Sequence, residues 1–232
     1  MTLTLPIPIF RISLCCLAII LLQCSPDSDK PIPPTTRSKV EVQDATKNES
    51  HLTPKDSERT SWQKPELIIQ QLGNISDKTV ADIGAGTGYF SFQLMHKAKK
   101  VIAIDIDENM IGLLDAFMGS LSDKMSKKIE TRLALPNDPL LKKDEADIAL
   151  FVNVVPYMQN RVDYFTTLKQ NLTEEGMVMI VDFKTRRLPI DAPSYAERVL
   201  PHIIEEELYD AGFSRVFIDD STLDYQYIIS AQ

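Results

Sequence analysis

Cysteine is confined to one end of this 232-residue chain, where Cys15, Cys16 and Cys24 are the only three. From residue 25 onward there is no thiol. That excludes a disulfide framework, a zinc–thiolate cluster and a cysteine nucleophile in any folded part that follows. Histidine is as scarce: His51, His96 and His202 stand far apart, no pair has metal-ligand spacing, and no metal site is expected. Positive charge is in deficit. Lys and Arg number 25 against 33 Asp and Glu, a net charge of −8, which argues against a protein that holds nucleic acid through bulk charge. What remains is ordinary for a chain with a buried core: 44% hydrophobic and 25% charged residues, too apolar for a mostly disordered protein.

The apolar run 12–22 (ISLCCLAIILL) follows Arg11 and is too short to span a bilayer, which takes roughly 20 residues. It fits the central region of a secretory signal. Leu21-Leu22-Gln23-Cys24 resembles the end of a bacterial lipoprotein signal, with Gln23 where that pattern has a small residue. The resemblance implies lipidation of Cys24 and an exported, membrane-anchored protein on the periplasmic or cell-envelope side; a plain signal peptide or a short N-terminal anchor, with Cys24 incidental, is the alternative. Residues 25–58 are polar and proline-containing, without apolar periodicity, and read as a flexible tether. The expected organisation is a signal over 1–24, a tether over 25–58 and one folded domain over 59–232.

From Trp62 onward, helical and strand patterns alternate. A helix is expected over 65–72, then strands at 79–83 and 101–106, with helices over 89–97 and from Asp107. Strands follow at 129–134, 147–152 and 177–183, and helices at 161–171 and 203–211. The segments 213–218 and 225–230 close the chain as a hairpin. Five βα units and a terminal antiparallel hairpin predict an α/β fold: a Rossmann-like, mostly parallel sheet with helices on both faces.

The strongest local feature is Asp82-Ile83-Gly84-Ala85-Gly86-Thr87-Gly88 at the end of the first strand. Ligands of open parallel sheets bind beyond the carboxyl ends of the strands, and glycines there let backbone approach them. Asp105, ending the second strand, can accept from both hydroxyls of a ribose. The spacing is Gly-x-Gly-x-Gly, with Tyr89 where a dinucleotide site has its third glycine. Asp82 would repel a pyrophosphate but meet an ammonium group. The pattern favours S-adenosylmethionine, a nucleoside with an ammonium group and no phosphate, over NAD.

These segments resemble the class I S-adenosylmethionine-dependent methyltransferases. VADIGAGTGYFS (80–91) is similar to their first motif and AIDIDENM (103–110) to their second-strand motif. DIALFVNVV (147–155) and LTEEGMVMIVDF (172–183) match the fourth and fifth strands. The resemblance implies seven strands, with the seventh antiparallel and inserted between the fifth and sixth. It also implies that Gly84, Ala85, Gly86 and Gly88 line the methionine part of the cofactor and that Asp82 holds its amino group. Asp105 would bind the ribose, Ile106 would pack on adenine, Asp138 would accept from the adenine amine, and Asn153 would face the methyl-transfer region.

No catalytic base is legible, and none is needed unless the acceptor must lose a proton. Asn153-Val154-Val155-Pro156-Tyr157 is similar to the Asn-Pro-Pro-Tyr motif of methyltransferases acting on amino groups, with one residue too many after the asparagine. Trp62, beside Arg59 and Lys64, would lid the pocket or pack the first helix. Lys184, Arg186 and Arg187 would attract an acidic acceptor or form a solvated loop. Two readings stay open: a tethered methyltransferase acting on a small molecule, lipid or protein, and a non-catalytic nucleoside-binding module.

Overall fold

The computed structural model describes residues 54–232, with side chains from Glu58 onward. The expected signal segment, Cys24 and most of the polar run lie outside the described residues. Seven strands form one sheet: β1 (Thr79–Ile83), β2 (Lys100–Asp105), β3 (Ile129–Leu133), β4 (Ala146–Val152), β5 (Leu172–Phe183), β6 (Val216–Asp219) and β7 (Gln226–Ala231). Their order is β3-β2-β1-β4-β5-β7-β6. β1 pairs in parallel with β2 and β4, β2 with β3, and β4 with β5. β7 runs antiparallel to both β5 and β6, so only β7 opposes the other strands. The mostly parallel sheet with an inserted antiparallel seventh strand is the expected one.

The helices are α1 (Pro54–Gln63), α2 (Pro65–Gln71), α3 (Tyr89–Met95), α4 (Glu108–Met118), α5 (Asp123–Ser126), α6 (Arg161–Asn171) and α7 (Pro201–Asp210). Alternation along each strand divides the core in two. On one face Ala81, Ile83, Phe151, Ile180 and Tyr227 pack against Tyr164, Phe165 and Leu168 of α6 and Ile204 and Leu208 of α7. On the other, Val80, Leu150, Met179 and Ile228 meet Ile68 and Ile69 of α2, Phe90 and Leu94 of α3, and Leu114 of α4. Tyr227, Phe151 and Phe165 are among the largest side chains with almost no exposure, so β7, β4 and α6 meet in a deeply buried part of the core, where burial stabilises the fold most.

Three expectations need correction. α1 starts at Pro54, inside the run read as tether. Its sequence PKDSERTSWQ offers one large apolar residue, so no periodicity marks it, and only proline at a helix start does. The link between β3 and β4 holds no α-helix, so the βα alternation lapses there; Pro136 and Pro139 break the run, and an isolated bridge joins Leu135 to Asp138. Arg132 ties that link down by donating to both oxygens of Glu145, at 2.7 and 2.9 Å. Finally, β5 begins at Leu172 rather than 177. Its pairing with β4 slips between Ala146 and Ile148, so residues 173–176 bulge out of register.

Candidate functional site

β1 and β4 are neighbours, while the chain after β1 crosses to β2 on the other side. The strand order reverses between them, and the crevice at their carboxyl ends is where ligands bind in such sheets. Two cavities open there, of about 230 and 440 Å³, and Gly84 lies in the wall of both.

The smaller cavity is lined by Arg59, Asp82, the loop Gly84-Ala85-Gly86-Thr87, Tyr89, Phe90, Val152 and Asn153. Strand alternation sends Asp82 to the α3 face, where Ser91 Oγ donates to Oδ2 at 2.6 Å. Burial raises the Asp82 carboxyl to about 6, and the Ser91 hydroxyl and the Arg59 guanidinium only partly offset it. Arg59 comes from α1. Its guanidinium lies over the Tyr89 ring at 4.3 Å from the centroid, and Thr60 on the same helix is 2.7 Å from the Tyr89 hydroxyl. The cavity therefore holds one carboxylate and one guanidinium, the complement of an amino-acid zwitterion.

The glycine loop spends its amides internally. Gly84 and Ala85 N–H both donate to the Ile104 carbonyl, Gly86 N–H donates to Asp105 Oδ2 at 2.8 Å, and Gly88 N–H donates to the Ala85 carbonyl. An anion-binding nest needs such amides free, so these four cannot cradle a pyrophosphate. Gly84 has φ +71°, and a methyl group placed on its α-carbon would collide with Val154 Cγ2; at Gly88, φ +87°, it would meet Phe92 and Leu114. Gly84 thus serves close approach at the cavity wall and Gly88 the packing of α3.

Asp105 accepts from Gly86 N–H and, through Oδ1, from Asp107 N–H at 2.9 Å. Two backbone amides fix the carboxylate, which has about four lone-pair sites, and so leave it acceptor capacity toward the larger cavity it lines. Ile106 beside it is exposed and lines the same cavity, together with Leu135, Pro136, Val154, Met158 and Tyr164. That wall is mainly apolar and suits a flat heteroaromatic ring.

Asp138 is absent from both walls. Its Oδ1 accepts from Leu140 N–H at 2.7 Å, so it closes its own turn, and residues 134–136 stand where it was expected. Asn153 lines the smaller cavity in a left-handed conformation, φ +61°, with its N–H on the Val181 carbonyl. Trp62 packs on Phe183 at 5.5 Å between centroids and lines neither cavity; of its two roles, packing is the one seen. Lys184 is neither a solvated loop residue nor a lure for acids: it is buried and donates to the Asp220 and Leu223 carbonyls. Arg186 likewise donates to the Asp224 carbonyl.

Sequence reasoning named Arg59 only as a neighbour of Trp62 and passed over Gln63 and Gln226. Arg59 donates to Gln63 Oε1, Gln63 Nε2 donates to Gln226 Oε1 at 2.9 Å, and Gln226 Nε2 donates to Asn153 Oδ1 at 2.6 Å. Gln63 and Gln226 are almost wholly buried. No local signal marks such a chain, because its members lie on α1, β7 and the end of β4. Among the described residues no group of His, Cys, Asp and Glu could hold a metal ion, and no described helix is long and apolar enough to cross a membrane.

A parallel sheet with a buried acid and a glycine loop at its switch point, and a second acid one strand over, defines a class I nucleoside-binding methyltransferase fold. Comparison with known proteins agrees. Residues 74–212 match the family model described as a methyltransferase domain, and the chain belongs to that family. It is similar to a solved S-adenosylmethionine-dependent methyltransferase from Aquifex aeolicus, with a TM-score of 0.67 and 21% identity over 75% of this chain and 91% of that one. Curated relatives include ribosomal RNA small subunit methyltransferase A of Koribacter versatilis, 30% identical over 39% of this chain, and tRNA U34 carboxymethyltransferase of Actinobacillus succinogenes, 23% identical over 59%. The matched stretches span 35% and 42% of those relatives.

Proposed function

We propose that the chain binds S-adenosylmethionine across the two cavities and transfers its methyl group to a small acceptor. The observation that carries this reading is the smaller cavity's placement of Asp82 and Arg59 together behind a loop whose glycine and alanine amides are already used. The cofactor's ammonium would meet Asp82 and its carboxylate Arg59. Asp105 would accept from the ribose hydroxyls, and Ile106, Leu135 and Pro136 would enclose the adenine. When bound, the cofactor supplies an electrophilic methyl on a sulfur that leaves as a neutral thioether. The protein's part is to hold the acceptor in line and keep water out.

The named relatives act on RNA by their names. Here the net charge is −8, and Asp105, Asp107 and Glu108 crowd the turn from β2 into α4, which repels a phosphate backbone. A small molecule, or a lipid or protein that presents one small group, fits this surface better. We further propose that the protein is exported and anchored through lipidated Cys24, on the apolar run 12–22 and the Leu-Leu-Gln-Cys that ends it. Replacing Cys24→Ser should abolish lipid labelling and release the protein from membranes; unchanged retention contradicts the anchor.

Calorimetry tests the central reading. S-adenosylmethionine and its demethylated product should bind, Arg59→Met should weaken both roughly tenfold or more by removing a charged hydrogen bond, and NAD should not bind.

A further inference from the structure

The buried chain from Arg59 to Asn153 has a direction, and its chemistry fixes that direction. A guanidinium can only donate, so Gln63 must turn its oxygen to Arg59 and its nitrogen to Gln226. Gln226 must then accept through Oε1 and donate through Nε2, and Asn153 must accept that bond with Oδ1. Each amide has one oxygen and one nitrogen, so the donor-only end dictates the orientation of all three. What remains of Asn153 is its Nδ2, which finds no hydrogen-bond acceptor among the described residues. Asn153 lines the cavity beside Asp82 and Gly84, so the relay makes it a donor there.

Resting on the function proposed above, we infer that this polarised relay sets the acceptor class: the methyl goes to an oxygen that carries negative charge, a carboxylate or an acidic phenol, and not to an amine. An amine must have its N–H accepted by the protein, and Asn153 Oδ1 already spends one of its two lone pairs on Gln226, which holds that oxygen toward β7. An oxyanion needs donors, and Nδ2 supplies one. The acceptor oxygen forms the new C–O bond with a lone pair while the methyl C–S bond breaks and its electron pair stays on sulfur. The two opposite charges cancel and no proton moves, so the step asks for no base; Asp82 and Asp105, in the walls of the two cavities, are left to the cofactor's ammonium and ribose.

Reversing the relay tests the assignment. In Gln63→Glu, the new carboxylate stays paired with Arg59 but can no longer donate. Gln226 must turn over to donate to it, and Asn153 must turn over to donate to Gln226, so Asn153 presents its oxygen to the cavity. The probes are benzoate, 4-nitrophenolate and aniline, titrated into protein saturated with S-adenosylhomocysteine. Binding is followed by the Asn153 side-chain ¹H–¹⁵N resonance and by affinity. In the wild type, benzoate or 4-nitrophenolate should shift that resonance and aniline should not. Gln63→Glu should lose about tenfold in oxyanion affinity, one charged hydrogen bond's worth, and gain aniline binding. Asn153→Asp, which keeps the shape and removes the donor, should lose oxyanion binding as well. The inference is overturned if aniline is the preferred probe of the wild type, or if both variants keep oxyanion affinity. Failure of S-adenosylhomocysteine to bind the wild type would overturn the underlying function instead, and is seen before any probe is added.

Discussion

Gln63 and Gln226 lie 163 residues apart in sequence, and the side-chain nitrogen of the first donates to the side-chain oxygen of the second at 2.9 Å. This bond fastens α1, which precedes the sheet, to the last strand. It also completes the path from Arg59 to Asn153 that shapes one side of the cavity. Gln63→Ala leaves the Gln226 oxygen buried without a donor, which costs about 1–3 kcal/mol. Urea unfolding should show that loss, and hydrogen exchange should show α1 opening ahead of the sheet. Equal protection of α1 in wild type and variant would mean that the bond does not hold the helix.

Asp82 couples ligand binding to pH. Its carboxyl lies near 6 because burial penalises the charge, and pairing with an ammonium requires the charged form. Affinity for S-adenosylmethionine should therefore fall as pH drops through 6, and binding near pH 6 should release protons. Calorimetry in buffers of different ionisation enthalpy measures that release. Asp82→Asn should bind at least tenfold more weakly at pH 8 and show no proton release.

Asp182 should affect stability and not binding. It is buried on β5 opposite Tyr227, Oδ1 accepts from Phe183 N–H at 2.8 Å, and Oδ2 has no hydrogen-bond partner among the described residues. Burial raises its carboxyl to about 7. An acid whose folded pKa is raised favours the folded state fully below its unfolded value, near 4, and loses that contribution as pH rises through 7. Asp182→Asn should match the wild type at pH 4 and gain on the order of 2 kcal/mol by pH 8, read from melting curves across that range. Its affinity for S-adenosylhomocysteine should be unchanged. A variant that gains nothing at pH 8 would contradict the burial argument.

Two glycines of one loop should respond differently. A methyl group on Gly84 collides with Val154 in a left-handed backbone, whereas on Gly86, φ +55°, it meets no described atom within 4 Å. Gly84→Ala should lose about 2–4 kcal/mol through strain and the displaced Val154, and Gly86→Ala only about 1 kcal/mol from its backbone angle. Thermal melts of the two variants without ligand make the comparison. Equal losses would mean that Val154 yields freely.

Much of this architecture was legible because the sheet is parallel and buried. Runs such as VIAID and DIALFV are continuous and apolar, and residues between them carry helical spacing. The turn from Asp82 to Gly88 and the acid at Asp105 stood out because their chemistry is local. α1 did not, since its polar sequence hides a helix held by Gln63 and Trp62 contacts from afar. Asp138 looked like a ligand residue because nothing in the sequence shows that its carboxylate closes on Leu140 N–H. Lys184 looked solvated for the same reason: the carbonyls that bury it belong to residues 220 and 223. Arg59 joins the cavity through a helix whose position only the fold supplies.

The most direct test is calorimetric titration of the purified wild-type protein with S-adenosylmethionine, S-adenosylhomocysteine and NAD, repeated with Asp82→Asn and Arg59→Met. Binding of the two sulfur nucleosides with none of NAD, and weakening by each substitution, is the predicted result. Binding of NAD with no response to S-adenosylmethionine would contradict it.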